Sequence, residues 1–243
     1  MPTTTLHKTR ELGQSIWYDN IRRGLIASGE LQALIDRGVM GITSNPTIFE
    51  KAIAASHDYD TALRALVARG LGTTAIYEAL AIDDIRAACD RLLSTYQATA
   101  GIDGRVSLEV LPELAANTAQ TISEGLRLAK LVDRPNVMIK VPATREGLPA
   151  IAALTAAGVS VNVTLIFGLD QYREVIDAYI DGLERRLAAG GPLDDVASVA
   201  SFFVSRVDSA CDKQLDEKIK LGRAPRVASA FQRAPFTTFP NTS

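Results

Sequence analysis

A chain of 243 residues with 47% hydrophobic and 22% charged side chains can bury a sizeable core and is not composed like a disordered segment. Its formal net charge of -2 removes the global basic field that nucleic-acid binding draws on, and two distant cysteines, Cys89 and Cys211, are too few for a disulfide framework or a zinc site. Two histidines, His7 and His57, without an HExxH pattern argue against a histidine metal centre, a polar stretch over residues 1–14 is unlike a signal peptide, and no apolar run approaches the roughly 20 residues of a membrane span, so a soluble, cytoplasmic protein is expected.

Strand and helix patterns alternate almost from the start. Residues 15–19 read as a first strand and 21–37 as helix with a break near Gly29. Residues 39–45 form a second strand, and 47–100 a long, mainly helical stretch broken around Gly70 and Gly72. A third strand over 105–111 leads to a helix over 115–132, where Ile122, Leu126 and Ala129 recur at helical spacing. A fourth strand, 136–142, precedes a short helix over 147–157 that ends at Gly158. Residues 159–167 are a fifth strand and 170–189 a helix, followed by a loop over 190–195. Residues 196–204 are a sixth strand and 208–221 a last helix. The final residues, 223–243, hold Pro225, Pro235, Pro240, three arginines and no acidic residue, and do not read as another such unit.

Alternation of this kind predicts parallel strands joined by crossover helices. Polar residues recur near the ends of many strands rather than at one switch point, which favours a barrel over a doubly wound sheet. The expected fold is α/β, a (β/α)8 TIM-type barrel with about six of its eight strands within residues 1–222, and an irregular tail over 223–243.

The strand-end residues are Asp19, Asn45, Glu109, Lys140, the pair Asn162 and Thr164, and Ser201, with Arg206 five residues on. A barrel gathers such groups at one mouth, where barrel enzymes keep their chemistry. Lys140 is the most informative. Met138 and Lys140 share one face of their strand, while Val137, Ile139 and Val141 share the other, more apolar face that helices would cover. Lys140 then points inward, where desolvation favours a neutral amine able to form a Schiff base with a carbonyl. Glu109 and Asp19 are placed to relay protons. Each residue alone has a plainer reading: Lys140 as a snorkelling or ion-paired side chain with Glu109 as its partner, Asn45–Pro46 as a turn, Thr164 as a β-branched filler and Arg206 as a surface charge. Gly70-x-Gly72-x-x-Ala75 mimics a dinucleotide fingerprint but follows a helical run, not a strand.

The segments GQSIWYDNIRRGLI, GITSNPTIFEKAI, VSLEVLPELA, NVMIKVPATREG, VSVNVTLIFGLDQY and VASFFVSRVD together resemble the transaldolase family, in the family's order and over about residues 11–222. The wording is similar to the longer bacterial branch, which includes forms fused to phosphoglucose isomerase. The resemblance implies transfer of a dihydroxyacetone unit from sedoheptulose 7-phosphate to glyceraldehyde 3-phosphate, giving erythrose 4-phosphate and fructose 6-phosphate in the pentose phosphate pathway. It implies sugar-phosphate substrates and no metal or organic cofactor. It assigns Lys140 to the Schiff base, Asp19 to proton transfer at C–C cleavage, and Glu109 with Thr164 to a catalytic water. Asn45, Asn162 and Ser201 fall to the donor's hydroxyls and Arg206 to a phosphate. Family members carry later strands and a second phosphate-binding arginine, and no segment here matches them. A C-terminally truncated barrel with weak or no transaldolase activity of its own is therefore expected. Two other readings stand beside it: another Schiff-base sugar-phosphate aldolase, and a non-catalytic remnant that completes its barrel with another chain. The oligomeric state is not legible.

Overall fold

The structure, a computed structural model, describes residues 4–222, so the tail expected over 223–243 lies outside the described residues. Helix α1 (Thr5–Glu11) leads into strand β1 (Ile16–Tyr18), helices α2 (Arg23–Ala27) and α3 (Glu30–Asp36), and strand β2 (Val39–Thr43). A helical excursion follows: α4 (Pro46–Ala55), α5 (Asp60–Ala68) and the long α6 (Thr73–Ala98), with the break at Gly70 falling between the last two. Then come β3 (Arg105–Glu109), α7 (Thr118–Val132), β4 (Val137–Pro142), α8 (Gly147–Ala156), β5 (Val161–Ile166), α9 (Leu169–Ala188), β6 (Ser198–Phe202) and α10 (Val204–Lys220).

All six strands are parallel and lie side by side in chain order, β1 to β6. This is the TIM-type arrangement, with β1 and β6 each paired on one side only among the described residues. The sheet curls. Lys140 on β4 donates to the carbonyl of Ser44, just past β2, passing over β3 between them.

Side-chain parity follows the pattern read along each strand. Val106 and Leu108, Val137, Ile139 and Val141, and Val161 and Val163 enter the core between sheet and helices. Ser107 and Glu109, Met138 and Lys140, and Asn162 and Thr164 take the opposite face. The core face is continuous and apolar, so a one-residue slip in any strand would bury polar groups against helices. Two close approaches depend on missing Cβ atoms. A Cβ on Gly41 would meet the Trp17 ring at 2.5 Å, and one on Gly182 of α9 would meet the Ala152 carbonyl of α8 at 2.6 Å.

The helical excursion is tied down by one buried polar knot. Asp84 of α6 accepts from Arg23 Nε at 2.8 Å and from the Tyr59 hydroxyl at 2.7 Å, and the Arg23 backbone N–H donates to that hydroxyl at 2.9 Å. Arg23 also lies over the Tyr59 ring. The end of β5 is irregular. Leu165 has φ of +62°, a conformation costly for a side chain with a Cβ, and the pairing with β6 slips between Val163 and Ile166. Gln171 holds this segment, accepting from Phe167 N–H at 3.0 Å and donating to Ala143 and Leu165 carbonyls at 2.7 and 3.1 Å.

Two boundaries differ from the expectation in ways that matter. Helix α1 falls within residues assigned no element. Helix α10 starts at Val204 rather than 208, which puts Arg206 in a helical first turn. Among the described residues no helix is long and apolar enough to cross a membrane.

Candidate active site

Strand register brings the inward residues of β3, β4 and β5 level. Glu109 pairs with Lys140, and Lys140 with Asn162, as Cα partners across the sheet. Lys140 and Glu109 meet as an ion pair, Nζ to Oε2 at 3.0 Å, with side chains 7% and 12% exposed. The Ser44 carbonyl takes a second Nζ proton at 3.3 Å. Burial of Lys140 and Glu109 as its ion-pair partner are both among the expectations from the sequence, and the structure has both.

Burial drives the Glu109 carboxyl above its ordinary range, the Lys140 charge and hydrogen bond pull it back, and the nearby Asp19 charge pushes it up again. Asp19 therefore lies within electrostatic reach of the pair. It follows β1, is exposed, and accepts a 2.6 Å hydrogen bond from the Thr43 hydroxyl at the end of β2. Tyr77 of α6 has its phenol pushed up to about 12, first by burial and then by the Glu109 and Glu50 charges. It borders, with Glu109, Leu108 and Leu128, a small open cleft between α6 and α7; none of the other expected site residues lines it.

On the other side of Lys140, Asn162 donates through Nδ2 to Ser107 Oγ at 2.9 Å and accepts at Oδ1 from Ser201 Oγ at 2.8 Å. Thr164, two residues on, is 1% exposed, and its hydroxyl has no hydrogen-bond partner among the described residues. Asn45 follows β2 and caps α4, its side-chain oxygen accepting from Ile48 N–H at 3.0 Å. Its NH2 group is not used in that cap.

The structure thus gathers Lys140, Glu109, Asn162 and Ser201 through direct contacts or a shared network, with Asp19 and Asn45 at the rim beside them. Arg206 stands apart. It is exposed, its guanidinium lies 4.7 Å from the Phe203 ring centroid, and it touches no other expected site residue among those described. Three contributors were not anticipated: Thr43, Ser44 and Ser107. Ser107 could have been found by parity, since it stands two residues before Glu109 and shares its face. Among the described residues no group of three or more His, Cys, Asp or Glu side chains is arranged to hold a metal ion.

A family model described as Transaldolase/Fructose-6-phosphate aldolase matches residues 16–234, an interval that spans all six strands and every residue of this cluster. The chain belongs to the transaldolase/fructose-6-phosphate aldolase family. Curated relatives agree. The chain is 51% identical over 205 residues to a protein named Transaldolase from Mycobacterium tuberculosis (strain ATCC 25618 / H37Rv), covering 84% of this chain and 55% of that relative. It is 50% identical over 206 residues to a Transaldolase from Mycobacterium ulcerans (strain Agy99), covering 84% and 55%. It is 48% identical over 221 residues to a Transaldolase from Trichodesmium erythraeum (strain IMS101), covering 90% and 58%. The chain therefore spans a little over half the length of these transaldolases.

Proposed function

We propose that this chain carries the Schiff-base chemistry of a transaldolase, moving a dihydroxyacetone unit from sedoheptulose 7-phosphate to glyceraldehyde 3-phosphate. The observation that carries the reading is the buried Lys140–Glu109 contact at the inner face of the sheet, in a chain of this family. An amine enclosed beside a carboxylate can pass a proton and become a nucleophile where water is scarce.

In this reading Lys140 Nζ adds to the donor's ketone carbon, and the carbinolamine loses water to give an iminium. Asp19, held by Thr43, takes the proton from the hydroxyl on the carbon about to leave. The C–C bond electrons move into the iminium, giving an enamine and releasing erythrose 4-phosphate. The enamine carbon then adds to the aldehyde of glyceraldehyde 3-phosphate, Asp19 returns the proton to the new alkoxide, and water hydrolyses the iminium to free fructose 6-phosphate and Lys140. Glu109 with the buried Thr164 hydroxyl orients that water, and Asn45, Asn162 and Ser201 bind donor hydroxyls. Arg206 binds a phosphate; its exposure and the short step from β6 suit a charged group reaching in from solvent. The protein amine supplies the electron sink throughout.

Borohydride trapping tests this directly. Incubation with fructose 6-phosphate and reductant should fix a covalent adduct on Lys140, located by peptide mapping, and Lys140→Met should carry none. An intact fold with no adduct would favour the non-catalytic reading. The family description also names fructose-6-phosphate aldolase, and product analysis separates the two activities. With fructose 6-phosphate alone, an aldolase releases free dihydroxyacetone, whereas a transaldolase turns over only when an acceptor aldehyde is supplied.

A further inference from the structure

The amide of Asn162 is pinned at both ends, by Ser107 on one side and Ser201 on the other. Ser107 is fully buried and Asn162 is 1% exposed, so neither bond is exchanged for water at low cost. Ser107 is itself fixed through its main chain: its carbonyl accepts from both the N–H and the hydroxyl of Ser44, at 3.2 and 2.7 Å. The Ser44 carbonyl in turn receives Lys140 Nζ. One chain of bonds therefore runs from the reactive amine through Ser44 and Ser107 to Asn162 and Ser201.

We propose that Ser107 is a positioning residue that sets the Asn162–Ser201 pair to recognise a hydroxyl beside the carbonyl of a ketone bound at Lys140. This rests on the Schiff-base reading above. The bond arithmetic is as follows. A side-chain amide has two N–H donors and two acceptor lone pairs. Ser107 takes one N–H and Ser201 fills one lone pair, which leaves one of each. The single Ser201 proton is spent on Asn162, so toward a ligand Ser201 can only accept. A group that both donates and accepts satisfies this arrangement, and a hydroxyl does so. A methyl in the same place leaves a buried N–H unpaired, and sites built to bond a hydroxyl discriminate strongly against its absence. Without the Ser107 acceptor the amide is free to turn about its broad terminal torsion, and the fixed polarity is lost.

The test compares two small ketones, hydroxyacetone and acetone, which differ by the one hydroxyl beside the carbonyl. Each condenses with Lys140 with loss of water, and cyanoborohydride delivers hydride to the C=N bond, leaving a stable secondary amine. In the parent protein the initial rate of Lys140 labelling should favour hydroxyacetone over acetone by about tenfold, the scale of one to two net hydrogen bonds. Ser107→Ala should bring that ratio to about twofold while acetone labelling changes little. Ser107→Cys, close in volume but a weak acceptor, should do the same and carries the test if the alanine variant does not fold. A wild-type ratio near one, variants that keep the parent ratio, or variants that slow both ketones in proportion would each overturn the proposal. Failure of both ketones to label the parent protein sinks the Schiff-base reading and this inference together; labelling with an unchanged ratio sinks this inference alone.

Discussion

Glu109 shows how one side chain can link stability to chemistry. Burial raises its carboxyl above the ordinary range more than Lys140 lowers it. The folded state then favours the protonated acid, and that stabilisation is complete below the unfolded-chain value and lost as pH rises through the folded one. Glutamine cannot ionise. The stability of Glu109→Gln relative to the parent should therefore climb as pH rises through the raised value, measured by paired urea melts between about pH 4 and 8; a falling difference would contradict the assignment. Asn45 separates two roles in the same way. Asn45→Ala removes the cap of α4 and should cost roughly 1 kcal/mol, whereas Asn45→Asp keeps the capping oxygen and should hold its melting temperature. Both lose the NH2 group, so both should weaken trapping of fructose 6-phosphate if that group meets a donor hydroxyl. Lys140, Glu109 and Asn162 were legible because alternation along a strand assigns each side chain to a face. Alternation puts Ser107 on the same face, but its role was not legible, because an inward serine looks like a small filler until the fold brings the Asn162 amide to it across β4.

At the scale of elements, α8 and α9 are joined at Gly182, where a Cβ would strike the Ala152 carbonyl at 2.6 Å and Thr155 Cβ at 2.6 Å. Neither obstacle is a flexible side-chain tip. Alanine normally gains about 1 kcal/mol over glycine inside a helix, but here overpacking should outweigh that gain and leave Gly182→Ala destabilised by about 1–3 kcal/mol. Thermal melts would show it, and a variant as stable as the parent would mean the two helices can part. The element order, the crossovers and several helix starts, such as Gly147 of α8, were readable from the sequence, and the starts of α1 and α10 were not. Helix α1 opens with a capping box in which His7, rather than Glu or Gln, returns the bond to Thr4, so the usual sequence signal is absent. Helix α10 opens after Phe203, which offers no side-chain cap, and nothing in the residues marks the true start four positions early. That shift is why Arg206 sits on a helix and over an aromatic ring.

The molecule as a whole offers an internal reporter of its integrity. Cys89 lies fully buried on α6, its thiol pushed up to about 12 by burial, while Cys211 on α10 is exposed. Reagents act on the thiolate. At mildly alkaline pH one thiol should react with an alkylating agent in the native protein and the second only when the core opens, so the slow phase of labelling measures opening of the molecule. Two fast thiols would show that the packing around α6 is looser than described. The Lys140–Ser44 contact has a wider meaning at this scale. It reaches over an intervening strand, so it ties β4 to the end of β2 independently of the pairing of either with β3. Under the proposed Schiff-base reading, Lys140 becomes a curvature gauge: mild pressure or dilute denaturant that unrolls the sheet should alter its labelling rate while circular dichroism still reports every helix in place.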